Sequence, residues 1–251
     1  MSDFQVGRAL ECARHLLIQP FGCTLHTGAC VSRNPASSTS TQDKAHARMR
    51  VDPRELAAEA CYRLMTGVVV PRPIAWVTTV NAAGVVNLAP FSHFTFVAPK
   101  PPMVAISIGR KGTVYKDTAR NILANEEFVV HIPHAAQAEA VHASAIEHPP
   151  EVSEVEMLGL ATRPSEMVGP PRLVDARLVL ECRLRHVMEL GDVGSRLIIG
   201  EAVLIHIDDA VLRDGKVETR LVDPLCRLAG PNYAALGEIM TMQAIGQTPK
   251  A

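Results

Sequence analysis

Leu178, Leu180, Cys182 and Leu184 alternate with Val179, Glu181, Arg183 and Arg185, the clearest periodicity in the chain. A period of two belongs to a β-strand with one buried face. Leu197 to Ile207 is almost wholly apolar and predicts a long strand covered on both sides, with a second subunit as one candidate cover. Upstream, Ile74 to Val80 and Val85 to Phe91 predict a hairpin across the turn Ala82-Ala83-Gly84. Phe94 to Val97 is expected to continue the second strand past a bend at Ser92 and His93. Met103 to Ile108 and Phe128 to Ile132 add two more strands.

Helical patterns are short and lie between these runs. Asp52 as N-cap and Pro53 at the first helical position predict a helix to about Tyr62, with Leu56, Ala60 and Leu64 on one face. Pro71 and Pro73 then demand extended backbone. Gly109-Arg110-Lys111-Gly112 reads as a loop, and Asp117 or Thr118 as the cap of a helix through Asn125. Ala135 to His148 predicts a helix stopped by Pro149-Pro150. Residues 151–172 read as an irregular connection, Arg213 to Lys216 as a turn, and Tyr233 to Met242 as a terminal helix. About six strands, with helices inserted at loops rather than alternating with strands, predict a mainly β protein: a barrel with peripheral helices, not a doubly wound parallel sheet.

Residues 1–48 differ from this pattern, with a Ser/Thr/Pro/Ala stretch from Asn34 to Thr41. They read as a disordered extension or as sequence ahead of a true start at Met49; an organelle transit peptide is a third reading. The folded domain is expected over residues 49–251. That length buries enough apolar surface to fold without staples. Forty-seven per cent apolar and 20% charged residues with a net charge of -1 offer no reason to expect nucleic acid or an anionic membrane as partner. No apolar run approaches the roughly 20 residues needed to span a bilayer, so a cytoplasmic protein is expected. Of six cysteines, Cys61, Cys182 and Cys226 fall in the expected domain, too far apart for a zinc site or disulfide framework.

The usual catalytic signatures are missing. No Gly-x-Ser-x-Gly elbow surrounds Ser92, and no carboxylate accompanies the close pair His131 and His134. Neither Gly-x-Gly-x-x-Gly nor a phosphate-binding Gly-x-x-x-x-Gly-Lys-Ser/Thr occurs, so any nicotinamide nucleotide must bind without a Rossmann domain. What remains is Lys111, Lys116, Asp117 and Thr118 at a helix start, where free N–H groups and the helix dipole suit a phosphate. Asn87 and Ser92 interrupt an otherwise apolar strand. A dry strand face with a few amides and hydroxyls beside a phosphate site suits a flavin.

The segments Val70-Pro71-Arg72-Pro73-Ile74-Ala75-Trp76-Val77-Thr78-Thr79, Asn87-Leu88-Ala89-Pro90-Phe91-Ser92-His93-Phe94, Lys116-Asp117-Thr118-Ala119-Arg120-Asn121-Ile122 and Phe128-Val129-Val130-His131 together resemble the flavin reductase-like family. The resemblance spans about Met49 to Tyr233. It implies an FMN-binding split β-barrel of Greek-key type, a homodimer, and FMN rather than FAD near the subunit interface. By the same resemblance Asn87, Ala89 and Ser92 lie along the isoalloxazine, with Trp76, Thr78 and Thr79 on the neighbouring strand. Ser107, Arg110, Lys116 and Thr118 surround the phosphate, and Asn121 supports the helix start. The implied activity is that of an FMN-dependent oxidoreductase, a flavin reductase using NAD(P)H and passing electrons to a partner monooxygenase or another acceptor. An FMN-binding electron carrier without NAD(P)H activity and a non-catalytic small-ligand barrel are the rival readings.

Overall fold

In a computed structural model, residues 49–243 and 246 are described; the expectations for residues 1–48 lie outside them. Seven strands make the main sheet: β1 Ala75–Val80, β2 Val86–Phe91, β3 Phe94–Pro99, β4 Pro102–Ile108, β5 Glu127–His131, β6 Leu178–Leu190 and β7 Ser195–Ile207. Their order is β2-β1-β5-β6-β7-β4-β3, with every pair antiparallel. The two edge strands, β2 and β3, are consecutive in the chain and separated only by Ser92 and His93. A sheet whose opposite edges are joined by two residues must curl on itself, because the link is too short to cross a flat sheet. The result is a barrel left open along the β2/β3 seam. Phe94 to Val97 therefore does not extend the preceding strand, as the sequence suggests, but starts the far edge of the sheet.

The barrel interior is packed by Ala75, Val77, Ile106, Ile108, Phe128, Val130, Cys182 and Ile198, with Ala119 and Ile122 of helix α2 (Asp117–Asn125). Alternation along β1 turns Trp76 the opposite way, into a second cluster with Ile74, Leu88, Val141, Val155, Leu173 and Leu225. Thus β1 is buried on both faces. Gly200 on β7 makes room for the Phe128 ring, since a Cβ there would come within 2.3 Å of Phe128 Cζ. Strand β7 is not covered on both sides within one chain: Ile198, Gly200 and Ala202 are buried, while Ile205 and Ile207 are exposed.

Peripheral helices depart most from the sequence reading. Asp52 does cap, accepting from Arg54 N–H at 3.0 Å, but it caps a single 3-10 turn, Pro53–Glu55. The helix proper, α1, runs later, over Ala58–Val68. The expected helix 135–148 breaks into a 3-10 turn, Ala135–Gln137, and α3, Ala138–Ala143. Helix α4, Glu154–Met157, lies in the stretch expected to be irregular. There, buried Glu154 Oε2 accepts from Leu88 N–H at 2.9 Å, protecting a free edge of the sheet from further pairing. Instead of a terminal helix, Tyr233–Ala234 pairs with Cys226–Arg227, which pairs in turn with Arg72–Pro73.

Two buried ionisable groups tie the loops to the sheet. His131 Nε2 accepts from Leu173 N–H at 3.0 Å while Nδ1 meets Trp76 O at 2.8 Å, which fixes the neutral tautomer with Nδ1–H donating. Burial, reinforced by the Arg172 charge and only partly offset by the Trp76 carbonyl, holds its pKa down at about 4. Glu181 is fully buried; desolvation raises its pKa, but N–H groups of Glu166 and Met167 and His206 outweigh that and hold it below the usual range. Cys182 is a buried free thiol with its pKa pushed up by burial, an inert core group.

Acid stability should therefore fall in two stages. The unfolded chain can protonate His131 below its ordinary value of 6.5 and the folded chain cannot, so stability present above pH 6.5 is lost towards pH 4, by roughly 3 kcal/mol. Glu181 contributes stability present above its ordinary value of 4.5 and lost as pH falls through its lowered pKa. Urea midpoints from pH 7.5 to 3.5 check this: His131→Gln should flatten the upper stage and leave the lower, and an unchanged upper stage would contradict the assignment.

Candidate functional site

The seam is fixed by one buried side chain. Arg72 is 6% exposed, and its guanidinium donates to Thr66 O at 2.7 Å and Val69 O at 2.6 Å at the end of α1. It also donates to Leu228 O at 3.0 Å and Ser92 Oγ at 3.3 Å. The end of α1 and the segment at Leu228 are thus tied to the turn between the sheet edges. The planar fork of an arginine can span them; a point-like ammonium cannot. Neighbouring His93 is held below its ordinary pKa by burial and by the Arg72 charge, so it is neutral at pH 7. In the sequence, only its position between Pro71 and Pro73 marks Arg72.

Two adjoining clefts open along the seam. One, of about 790 Å³, is lined by Tyr62, Ser92, His93, Ser107, Arg110 and Lys116 among others. The second, of about 140 Å³, is lined by Asn87, Ala89, Lys116, Thr118, Glu147 and His148 among others, and the two share Pro90, Phe91 and Lys116. The structure thereby brings together Asn87, Ala89, Ser92, Ser107, Arg110, Lys116 and Thr118, which the sequence separates by up to 31 positions.

Beneath the smaller cleft lies a closed polar network. Asn87 Nδ2 donates to Thr118 Oγ1 at 2.9 Å, and Asn121 Nδ2 donates to Thr79 Oγ1 at 3.1 Å. Asn87 Nδ2 also lies 3.4 Å from Thr79 Oγ1. Thr79, Thr118 and Asn121 are buried. Thr79 and Asn121 therefore hold the cleft wall from behind. Trp76 and Thr78 sit on the other face of β1: Trp76 Nε1 donates to Ser144 Oγ at 2.8 Å and Thr78 Oγ1 to Pro171 O at 2.7 Å. Neither of these two lines a cleft at the seam.

The N-cap of α2 is Lys116, and no side chain caps the helix. The first-turn N–H groups and the positive end of the dipole are consequently available to an anion. Lys116 Nζ is only loosely paired, 3.9 Å from Glu147 Oε1, with both side chains well exposed. Asp117 turns instead to Arg120. Arg110 is committed elsewhere, donating to Glu189 at 2.8 Å, Tyr115 OH at 2.6 Å and Gly194 O at 3.0 Å. Its guanidinium stacks 4.4 Å from the Tyr115 ring centroid, and Arg196 stacks on the same ring at 3.8 Å. Gly194, at φ 65°, leaves space for Arg110 that a Cβ would fill at 2.7 Å. No group of three or more metal-ligating side chains occurs among the described residues.

The curled antiparallel sheet is shared with known proteins. The flavin reductase like domain matches residues 65–223. An uncharacterised protein of Halalkalibacterium halodurans is 44% identical over 200 residues, covering 77% of this chain and 95% of that one. Nitrilotriacetate monooxygenase component B from Bacillus cereus superposes with a TM-score of 0.76 at 36% identity, covering 79% of this chain and 100% of its own. The Pseudomonas fluorescens 2-nitrobenzoate 2-nitroreductase NbaA gives a TM-score of 0.72 at 30% identity, covering 81% and 100%. The chain belongs to the flavin reductase-like family. Its fold is that family's split barrel, and its chemistry is of the flavin-linked redox class.

Arg72→Lys keeps the charge but loses the fork. Folding stability should drop by about 2–3 kcal/mol, the scale of one or two charge-assisted bonds, read as a lower urea midpoint; an unchanged midpoint would show that the seam does not depend on it.

Proposed function

We propose that the two clefts hold FMN and that the protein is an NAD(P)H-dependent flavin reductase. The observation that carries this is the uncapped start of α2 with loosely paired Lys116 and buried Thr118, opening on a strand face of flavin size. The residues fit the group: a cleft of about 790 Å³ lies within the range of small-molecule sites, and a phosphate would accept from the first-turn N–H groups that no side chain caps. Lys116, the Thr118 hydroxyl and the first-turn N–H groups would hold the phosphate, with Ser107 nearby. Asn87, Ala89 and Ser92 would border the ring, while Thr79 and Asn121 keep Asn87 and the helix start in place. Arg110 acts indirectly, by fixing Tyr115 and the Gly194 turn at the cleft's end.

A bound flavin would supply the redox chemistry, hydride acceptance from a reduced nicotinamide and electron transfer to an acceptor. The protein's own contribution is to orient the ring by hydrogen bonds and exclude water with Pro90, Phe91 and Tyr62. No acid–base side chain is required for this. The name of the Bacillus cereus relative, one component of a monooxygenase, supports transfer to a partner enzyme. Tyr62, Met65 and Val68 of α1 and Phe96 of β3 expose apolar surface, which supports burial in a homodimer.

Purified protein should bind FMN one to one per chain. Lys116→Ala with Thr118→Ala should weaken it by about 1.5–3 kcal/mol for each charged hydrogen bond lost, with the urea midpoint little changed; unchanged affinity would move the phosphate elsewhere. Met65→Glu with Val68→Glu should convert a dimer to monomer in sedimentation, and a double variant that stays dimeric would remove α1 from the interface.

A further inference from the structure

A third cleft of about 370 Å³ lies beside the seam and shares Tyr62, Pro90 and Ser92 with the largest one. Its charge is one-sided. Arg63, Arg72 and Arg227 line it, and no Asp or Glu does. Arg63 is neutralised by Glu59 at 2.6 Å. Arg72 is not: although nearly buried, its hydrogen bonds are met by three carbonyls and the Ser92 hydroxyl, and its charge has no counter-ion among the described residues. Such an arrangement keeps a positive potential in a low-dielectric wall. Arg227 has no carboxylate partner among the described residues. It donates to Gly230 O at 2.6 Å and stacks 4.5 Å from the Tyr233 ring centroid.

The shape is equally specific. Tyr233 is held by His142, edge-on to its ring at 5.8 Å and 3.1 Å from its hydroxyl, so the Arg227–Tyr233 stack is anchored at one rim. Tyr62 stands in the wall shared with the larger cleft, and Ile74 and Pro90 complete an apolar surface. The Ser92 hydroxyl accepts from Arg72 Nε, which leaves its own proton to donate. A cleft of this size, with Ile74, Pro90 and the Tyr62 and Tyr233 rings in its lining and two arginines that have no carboxylate partner among the described residues, suits a compact aromatic ligand with one anionic group. A whole nicotinamide dinucleotide needs more room.

We infer that this cleft is a second ligand site, for a compact planar carboxylate such as an aromatic acid, with Arg227 as its anion contact and Arg72 supplying the field behind it. Its place beside the ring rests on the flavin reading; its charge and shape do not.

The test is calorimetric titration with benzoate, benzamide and inorganic pyrophosphate, run on the full chain with saturating FMN and again without added flavin. Benzoate should bind in both conditions, at least about tenfold more tightly than benzamide or pyrophosphate, the scale of one charge-assisted contact. Arg227→Gln should weaken benzoate by a similar factor and leave FMN affinity unchanged, while Arg227→Lys should retain part of the binding. Equal affinity for benzamide, tighter binding of pyrophosphate, indifference to Arg227→Gln, or displacement of benzoate by FMN would each overturn the proposal. If FMN fails to bind at all, the titration without flavin still decides the cleft.

Discussion

Everything in this barrel depends on the two-residue link between its sheet edges. Ser92 and His93 join β2 to β3, strands at opposite ends of a seven-stranded order. So short a link leaves the sheet no choice but to curl. The seam that results cannot close by ordinary strand pairing, and its backbone needs other partners. Arg72 donates to the Ser92 hydroxyl and to the carbonyls at 66, 69 and 228, and Glu154 protects the Leu88 N–H on one edge. The clefts lie here because this is where the fold leaves strand surface uncovered.

Behind the clefts the polar groups are arranged in advance. Thr79, Asn87, Thr118 and Asn121 satisfy one another, so the wall a ligand meets is already in place without rearrangement. On the opposite side of the sheet His131 and Glu181 pin the 162–173 segment by accepting its N–H groups. Both depend on a defined protonation state, which makes the outer layer sensitive to acid although the barrel core is apolar.

The strands were legible because their periodicity is local: the alternation from Leu178 to Arg185 and the run ending at Ile108 need no knowledge of the rest of the chain. The place of Phe94–Pro99 was not, since nothing in Ser92-His93 distinguishes a bend within one strand from a crossing between sheet edges. Helix ends were misplaced where tertiary contacts decide. Asp52-Pro53 has good capping chemistry but only a 3-10 turn follows, and Tyr233 is drawn into a strand by pairing with Arg227. Of the candidate site, Asn87 and Ser92 stand out as polar interruptions of an apolar strand, and Lys116 and Thr118 as part of a helix start. The two faces of β1 could not be told apart by such means, because both are buried and Trp76 and Thr79 both hydrogen-bond. Glu154 gave no signal at all; its role comes from distant segments meeting at the seam.

The proposed role of the seam is to position a flavin for electron exchange with a nicotinamide. Anaerobic addition of NADH or NADPH to the FMN-loaded protein, followed by visible absorbance, tests it most directly. The flavin band should bleach with one equivalent of reductant per chain and return on admission of air. A bound flavin that neither reductant bleaches would contradict the reductase assignment and leave an electron carrier in its place.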